Sequence, residues 1–121
     1  MTTVLHLPAR PDAPIACDMT TAEDTPDERV AAYRSLFDEA LLHRDRQADA
    51  VVFTFRAHAR ARVEDLARRE AACCPFLDYR VDAVGDEVVW TLSHAVSGPE
   101  RQGADLTLDA FHDLTSARTY E

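Results

Sequence analysis

Lysine is absent from this chain of 121 residues, in which all 13 basic residues are arginine. The chain therefore lacks a residue for Schiff-base chemistry and the phosphate-binding lysine of a P-loop. Glycine is almost as scarce: Gly85, Gly98 and Gly103 form no nucleotide-binding loop, and the Gly-x-Ser-x-Gly motif of serine hydrolases is missing. These absences predict that the protein uses no nucleotide cofactor and has no serine-hydrolase site.

Positive charge and long apolar runs are also lacking. The formal net charge is -9 at pH 7, which repels phosphate backbones and anionic lipid surfaces. No apolar run approaches the roughly 20 residues that span a bilayer, and residues 1–14 have neither the basic start nor the apolar centre of a signal peptide. We therefore expect a cytoplasmic protein that binds neither nucleic acid nor membrane, and we leave open whether it forms a homo-oligomer.

The cysteines number only three, which does not suit the paired framework of a secreted disulfide protein. In a reducing compartment such residues serve as buried thiols, metal ligands or redox groups. The sequence therefore predicts free thiols.

Apolar periodicity and turn residues place the secondary structure. Thr25, Pro26 and Glu28 have the form of a capping box that begins a helix. Alternation of Val51, Phe53 and Phe55 with less apolar neighbours is typical of a half-buried strand. The patterns predict strands at 15–19, 50–56, 77–82 and 87–94, helices from Pro26 to about His43 and over 61–74, a polar turn at 44–49, and a last helix containing Leu108, Phe111 and Leu114.

The order β-α-β-α-β-β-α predicts an α+β fold. We expect a two-layer sandwich in which helices pack on a mixed sheet, with a hairpin next to strands that are connected by crossovers. The chain is predicted to form a single domain, residues 1–121, with residues 1–14 and 115–121 loose.

The chemistry of the chain is concentrated in Glu70-Ala-Ala-Cys73-Cys74-Pro75. Helical spacing puts Glu70 one turn before both thiols, and Pro75 ends the helix just after them. Cys17 provides a third thiol from a different segment of the chain. Soft thiolates select thiophilic ions, so the leading hypothesis is a soluble protein that binds or senses such an ion. Its metal site would be Cys17, Glu70, Cys73 and Cys74, its ligand Hg(II), As(III), Cu(I) or Zn(II), or another small thiophilic ligand.

Two alternatives stay open beside this hypothesis. In a thiol-dependent enzyme, Cys73 or Cys74 would react while Glu70 accepts the proton. In a structural or interaction module the cysteines would be inert core residues. The position at a helix C-terminus, close to a carboxylate, favours protonated thiols without metal and disfavours the enzyme. Of the histidines, His58 is the first choice for an extra ligand and His94 the second.

The sequence resembles a family of small actinobacterial-type proteins. The resemblance lies in Ile15-Ala16-Cys17, the helix that contains Tyr33, the strand from Val51, and Glu70-x-x-Cys73-Cys74-Pro75-Phe76-Leu77, and it spans about residues 15–92. Some of these proteins resemble accessory domains that are encoded with, or fused to, mercury-responsive regulators. The resemblance implies a role in heavy-metal handling and carries over Cys17, Glu70, Cys73 and Cys74 as the shared polar set; the region after Ser97 departs from the pattern.

Overall fold

The computed structural model describes residues 1–114. They form five strands and three α-helices, with short 3-10 turns at Ala57–Ala59 and Gly98–Glu100. The elements in chain order are β1 (Thr2–Leu7), α1 (Pro26–Ala40), β2 (Leu41–Arg46), β3 (Ala50–Arg56), α2 (Arg60–Cys73), β4 (Asp78–Val84), β5 (Glu87–Ser93) and α3 (Arg101–His112). No helix in this part of the chain is both long and apolar enough to cross a bilayer.

The five strands form one sheet in the order β1-β4-β5-β3-β2, with every neighbouring pair antiparallel. The predicted α+β class, with helices packed on a sheet, is confirmed, but the prediction of a mixed sheet is wrong. Strands β3 and β4, which precede and follow helix α2 along the chain, run in the same direction, as a crossover requires. They are not hydrogen-bonded to each other because β5 lies between them, which is a split β-α-β arrangement.

The first strand lies earlier than predicted. It is β1, which pairs with β4 through Leu5, His6 and Leu7, whereas residues 15–19 contain no strand. The expectation that residues 1–14 are loose is therefore wrong for residues 2–7, whose β-branched threonines and valine suit a strand. The other segment expected to be loose, 115–121, lies outside the described residues.

Helix α1 begins as predicted and ends early. Thr25 caps it: the backbone N–H of Glu28 donates to the Thr25 hydroxyl at 3.1 Å, and the Thr25 N–H donates to the Glu28 carboxylate at 2.8 Å. The helix stops at Ala40, and β2 occupies most of the stretch predicted as the end of the helix and a polar turn. Strand β2 is at the edge of the sheet, where charged and polar residues are tolerated because one side of the strand faces water.

The core lies between the helices and one face of the sheet. On β3, Val51, Phe53 and Phe55 are fully buried, and the residues between them are half-buried, as the alternation predicted. Trp90 of β5 and Tyr79 of β4 are also fully buried, which makes them core residues. The Tyr33, Phe37, Phe53 and Trp90 rings contact one another with centroids 5.2 to 6.2 Å apart, and this cluster anchors α1 on the sheet.

Candidate functional site

The C-terminal end of α2 is held against the sheet. The helix ends at Cys73, and the Cys74 N–H makes its last hydrogen bond, to the Glu70 carbonyl at 2.6 Å. The buried hydroxyl of Tyr79 donates to the carbonyls of both Glu70 and Cys74, at 3.1 and 2.7 Å. The bond to Cys74 satisfies a carbonyl group that the helix end leaves without an intrahelical partner, so the backbone around the two cysteines is fixed.

The segment between β1 and α1 brings Cys17 to this helix end. The Asp18 N–H donates to the Cys73 carbonyl at 2.9 Å, and the Arg10 N–H donates to the Pro75 carbonyl at 2.8 Å. Cys17 and Cys74 are joined by a disulfide, with their Cα atoms 4.3 Å apart. The expectation of three free thiols is therefore met only by Cys73, which is buried. Cys17 reaches the helix end from an irregular segment and not from the predicted strand.

Glu70 is at the centre of a buried ionic network. Its carboxylate accepts a hydrogen bond from Arg29 Nη1 at 3.0 Å and one from the Tyr33 hydroxyl at 2.5 Å. Arg29 also donates two hydrogen bonds to Asp24, at 2.5 and 2.7 Å, and its Nη2 lies 3.9 Å from Cys73 Sγ. Both oxygens of Glu70 are thus occupied, and within residues 1–114 the charged side chain in hydrogen-bond contact with the free thiol is the cationic Arg29.

Burial and pairing act in opposite directions on the pKa values of Glu70 and Asp24. Burial raises the pKa of Glu70, although the hydrogen bond from Tyr33 and the charge of Arg29 oppose the shift. The hydrogen bonds from Arg29 lower the pKa of Asp24 to about 2. Burial also raises the pKa of Tyr33, which therefore remains a hydrogen-bond donor to Glu70. Arg29 is thus held between one strongly acidic partner and one partner whose ionisation is disfavoured by burial.

A cavity of about 240 Å³ opens beside the sulfur atoms. All three cysteines contribute to its wall, together with Arg29, Tyr33 and Glu70. The rest of its lining is largely apolar: Met19, Pro26, Val30, Thr107, Ala110, Phe111 and Leu114. A second depression, of about 260 Å³, lies on the other side of Arg29 and Cys73 and is lined by Arg68 and Arg69. Cys73 is therefore part of the wall of both.

His58 and His94 are the two histidines considered as extra ligands. His58 is exposed in the turn before α2, at the opposite end of the helix from Cys73. His94 is buried: its Nδ1 accepts from the Val96 N–H at 3.0 Å, so its Nε2 carries the proton and donates to Asp105 at 2.8 Å. Neither histidine contributes to the cavity beside the sulfur atoms, so neither of these two choices for an extra ligand lies at the site.

His94 belongs to a different group, in which atoms of Asp49, His94 and Asp105 lie within 4.8 Å of one another. Arg101 forms ion pairs with both aspartates, and Arg46 contributes a further contact to Asp105 at 3.7 Å. These arginines already supply the positive charge that a cation would bring. The group therefore connects α3 to the sheet through side-chain ion pairs and hydrogen bonds.

The sequence prediction missed Arg29 and Asp24. Arg29 lies four residues before Tyr33 and eight before Phe37, so it shares the face of α1 that packs on the sheet. Arg29 is 4% exposed, whereas the apolar residue next to it, Val30, is 37% exposed. An arginine in an apolar stripe is the signal that could have found it, because a buried cation requires an acidic partner.

Comparisons with protein-family models, with curated proteins and with solved structures find no match to this chain.

Proposed function

We propose that this protein captures a soft metal or metalloid ion through the thiolates of Cys17, Cys73 and Cys74. The observation that carries the proposal is the meeting of three cysteines, from segments more than fifty residues apart, in the wall of one cavity. Sulfur is the only soft ligand type there, and thiolates select thiophilic ions such as Hg(II), As(III), Cu(I) and Zn(II). The resemblance to proteins associated with mercury-responsive regulators supports the same class of ligand.

Binding requires the reduced protein, because a disulfide sulfur is not a thiolate ligand. A low-molecular-weight dithiol or a phosphine can supply the two electrons that convert the Cys17–Cys74 bond into two thiols. Each thiol then loses its proton as it binds the ion. We place the protein in the cytoplasm, where thiols are kept reduced.

Glu70 acts through its neighbours in this proposal. Both of its oxygens already accept hydrogen bonds, from Arg29 and Tyr33, so a direct bond to the ion would break one of them. Its role is to hold the Arg29 guanidinium beside Cys73, where the positive charge stabilises a thiolate. Glu70 and Arg29 are positioning residues, and the ion itself is held by sulfur.

The test is a titration of the reduced protein with each of the four ions, followed by thiolate-to-metal absorbance in the near ultraviolet. We expect one ion bound per chain, and we expect the Cys73→Ala, Cys74→Ala double variant to lose binding at least about 100-fold. Asp49→Asn is a matched control, because it removes a carboxylate from the histidine–aspartate group and leaves the sulfur site intact. Unchanged binding in the double cysteine variant would overturn the proposal.

The disulfide favours a second candidate, thiol–disulfide exchange. An external thiolate would attack one sulfur of the Cys17–Cys74 bond, form a mixed disulfide and release the other cysteine as a thiolate; Cys73 would then attack the mixed disulfide and expel the external thiol. Addition of a small thiol to the oxidised protein distinguishes the candidates. Rapid formation of a disulfide that contains Cys73 supports exchange, whereas simple reduction of the Cys17–Cys74 bond, with Cys73 left as a free thiol, supports ion capture.

A further inference from the structure

The cavity beside the cysteines is much larger than a bare ion needs. Three thiolates at about 2.3 Å surround an ion almost completely, and the ion then requires no further space. The cavity measures about 240 Å³. An apolar cavity of about 150 Å³ is sufficient to hold a benzene molecule in a protein core. The volume left beside the sulfur atoms therefore corresponds to an organic group of about this size.

The lining of the cavity defines the chemistry of that group. Apart from the cysteines, Arg29, Tyr33 and Glu70, the wall is formed mainly by apolar residues such as Met19 and Val30 and by α3 residues such as Phe111. No cation or anion of α3 is part of this wall. An apolar substituent on the ion would displace water from the apolar part of this wall, whereas a charged substituent placed there would lose hydration, because the guanidinium of Arg29 and the carboxylate of Glu70 are already paired with each other.

We propose that the ligand is a soft ion that carries one apolar organic substituent, a trivalent organoarsenical of the aryl type being the best fit. This inference rests on the proposed function, because the cysteines must bind the ion. In the reaction, an arsenical R–As=O and two protein thiols give R–As(S-Cys)₂ and one water molecule, with no change of oxidation state. The two As–S bonds form with Cys17 and Cys74, and the substituent takes the third position on arsenic, which Cys73 fills when the ion is inorganic, and lies in the cavity.

The geometry of this pair suits the product. In the disulfide the two sulfur atoms are about 2 Å apart, whereas two thiolates on one ion are up to about 4 Å apart. Reduction must therefore be followed by a separation of about 2 Å. Cys17 can supply this movement because it is exposed in an irregular segment, while Cys74 is buried and its backbone is held by Tyr79.

The test compares phenylarsine oxide with methylarsine oxide on the full chain reduced with a phosphine. Affinities are measured by displacement with 2,3-dimercaptopropanol. The affinity for phenylarsine oxide is divided by the affinity for methylarsine oxide, and this ratio is compared with the same ratio for a free dithiol. We expect the protein to favour the phenyl compound at least about tenfold, since roughly 55 Å² of apolar surface removed from water is worth a factor of ten.

Ala110→Phe fills the mouth of the cavity from α3 and should remove this preference while methylarsine oxide still binds. Ala110 is exposed, so the variant should fold; Val30→Phe fills the same cavity from α1 if it does not. Ala61→Phe is the matched control, because Ala61 is exposed on α2 and does not line the cavity. It should keep the preference.

The outcomes separate the two proposals. If methylarsine oxide binds but the protein shows no preference beyond that of the free dithiol, or if Ala110→Phe retains the preference, the inference about the substituent is wrong and ion capture stands. If neither arsenical binds to the reduced protein, and the inorganic ions do not bind either, ion capture itself fails. A tenfold preference that disappears in Ala110→Phe and persists in Ala61→Phe supports both.

Discussion

Reduction of the Cys17–Cys74 disulfide should lower the free energy of unfolding by about 4 kcal/mol. The bond joins residues 57 positions apart. In the chain-entropy description, closing a loop of that length removes about 14 cal/mol/K of entropy from the unfolded chain, which corresponds to about 4 kcal/mol at 25 °C. The backbone hydrogen bonds that dock Arg10 and Asp18 on the end of α2 remain after reduction, so the folded state should persist. The loss is large because domains of this size are stable by only about 5 to 15 kcal/mol.

Urea unfolding of the oxidised and reduced protein measures this difference. With a denaturant slope of about 1.5 kcal/mol/M, the midpoint should fall by about 3 M. Cys17→Ser should show the low midpoint without reductant and no further change with it. Cys73→Ser retains the disulfide and should respond to reductant like the wild type. If the wild-type midpoint moves by less than about 0.5 M although all three thiols react with a thiol reagent after unfolding, the loop-entropy argument is wrong for this chain.

Four further variants test the ionic network, the turn between β4 and β5, and α3. Asp24→Asn should lower the free energy of unfolding by about 1 kcal/mol at pH 7, after allowance for solvent screening. The pKa of Asp24 is about 2 in the folded protein and about 3.8 in the unfolded chain. In urea titrations the difference in stability between wild type and variant should therefore be constant above about pH 5 and disappear as the pH falls toward 2. Glu70→Gln should cost about 1 to 3 kcal/mol in the same assay, since an amide N–H₂ would face Arg29 or Tyr33, both of which donate. Gly85→Ala should cost about 1 kcal/mol of thermal or urea stability because Gly85 has φ +57°, whereas Gly103→Ala, in the interior of α3, should be neutral or stabilising.

The α+β fold could be predicted from the sequence because its signals are local. The capping box at Thr25, the alternation over Ala50–Arg56 and the helix that ends before Pro75 each depend on neighbouring residues. The antiparallel sheet could not be predicted in the same way. The position of β5 between β3 and β4 is a contact between distant segments, and periodicity does not report which strands become neighbours.

Edge strands were the main failure of the sequence prediction. Strand β1 was missed because residues 1–14 are punctuated by prolines, and β2 because its charged residues resemble a turn. Edge strands need only one buried face and one hydrogen-bonded neighbour, so their sequences carry a weaker apolar signal than those of central strands. The central strands β3 and β5, with fully buried Phe53 and Trp90, were found.

The candidate site was predicted in part. Glu70, Cys73 and Cys74 lie on one helix, so spacing alone placed them together. Cys17 joined them in the prediction through the chemistry of sulfur, and its position beside Cys74 agrees with that expectation. Arg29 and Asp24 could not be placed, because their link to Glu70 crosses 41 and 46 residues of sequence and depends on how α1 and α2 pack.

The charge of the buried network predicts an order among the ions. Asp24 and Glu70 carry two negative charges. Arg29 between them and the more exposed Arg69, 3.3 Å from Asp24, carry two positive charges, so the network supplies no net positive charge next to the cysteines. Three thiolates with As(III) form a neutral complex, whereas with Hg(II) or Zn(II) the complex has a charge of -1 and with Cu(I) a charge of -2. Each additional negative charge in this partly buried position is disfavoured by burial, because the network offers no net positive charge to balance it. Competition experiments should therefore give a higher ratio of As(III) affinity to Zn(II) affinity for the reduced protein than for a free trithiol peptide. Asp24→Asn and Glu70→Gln should both reduce this ratio, because each removes a negative charge, and an unchanged ratio in both variants would show that sulfur alone determines the choice of ion.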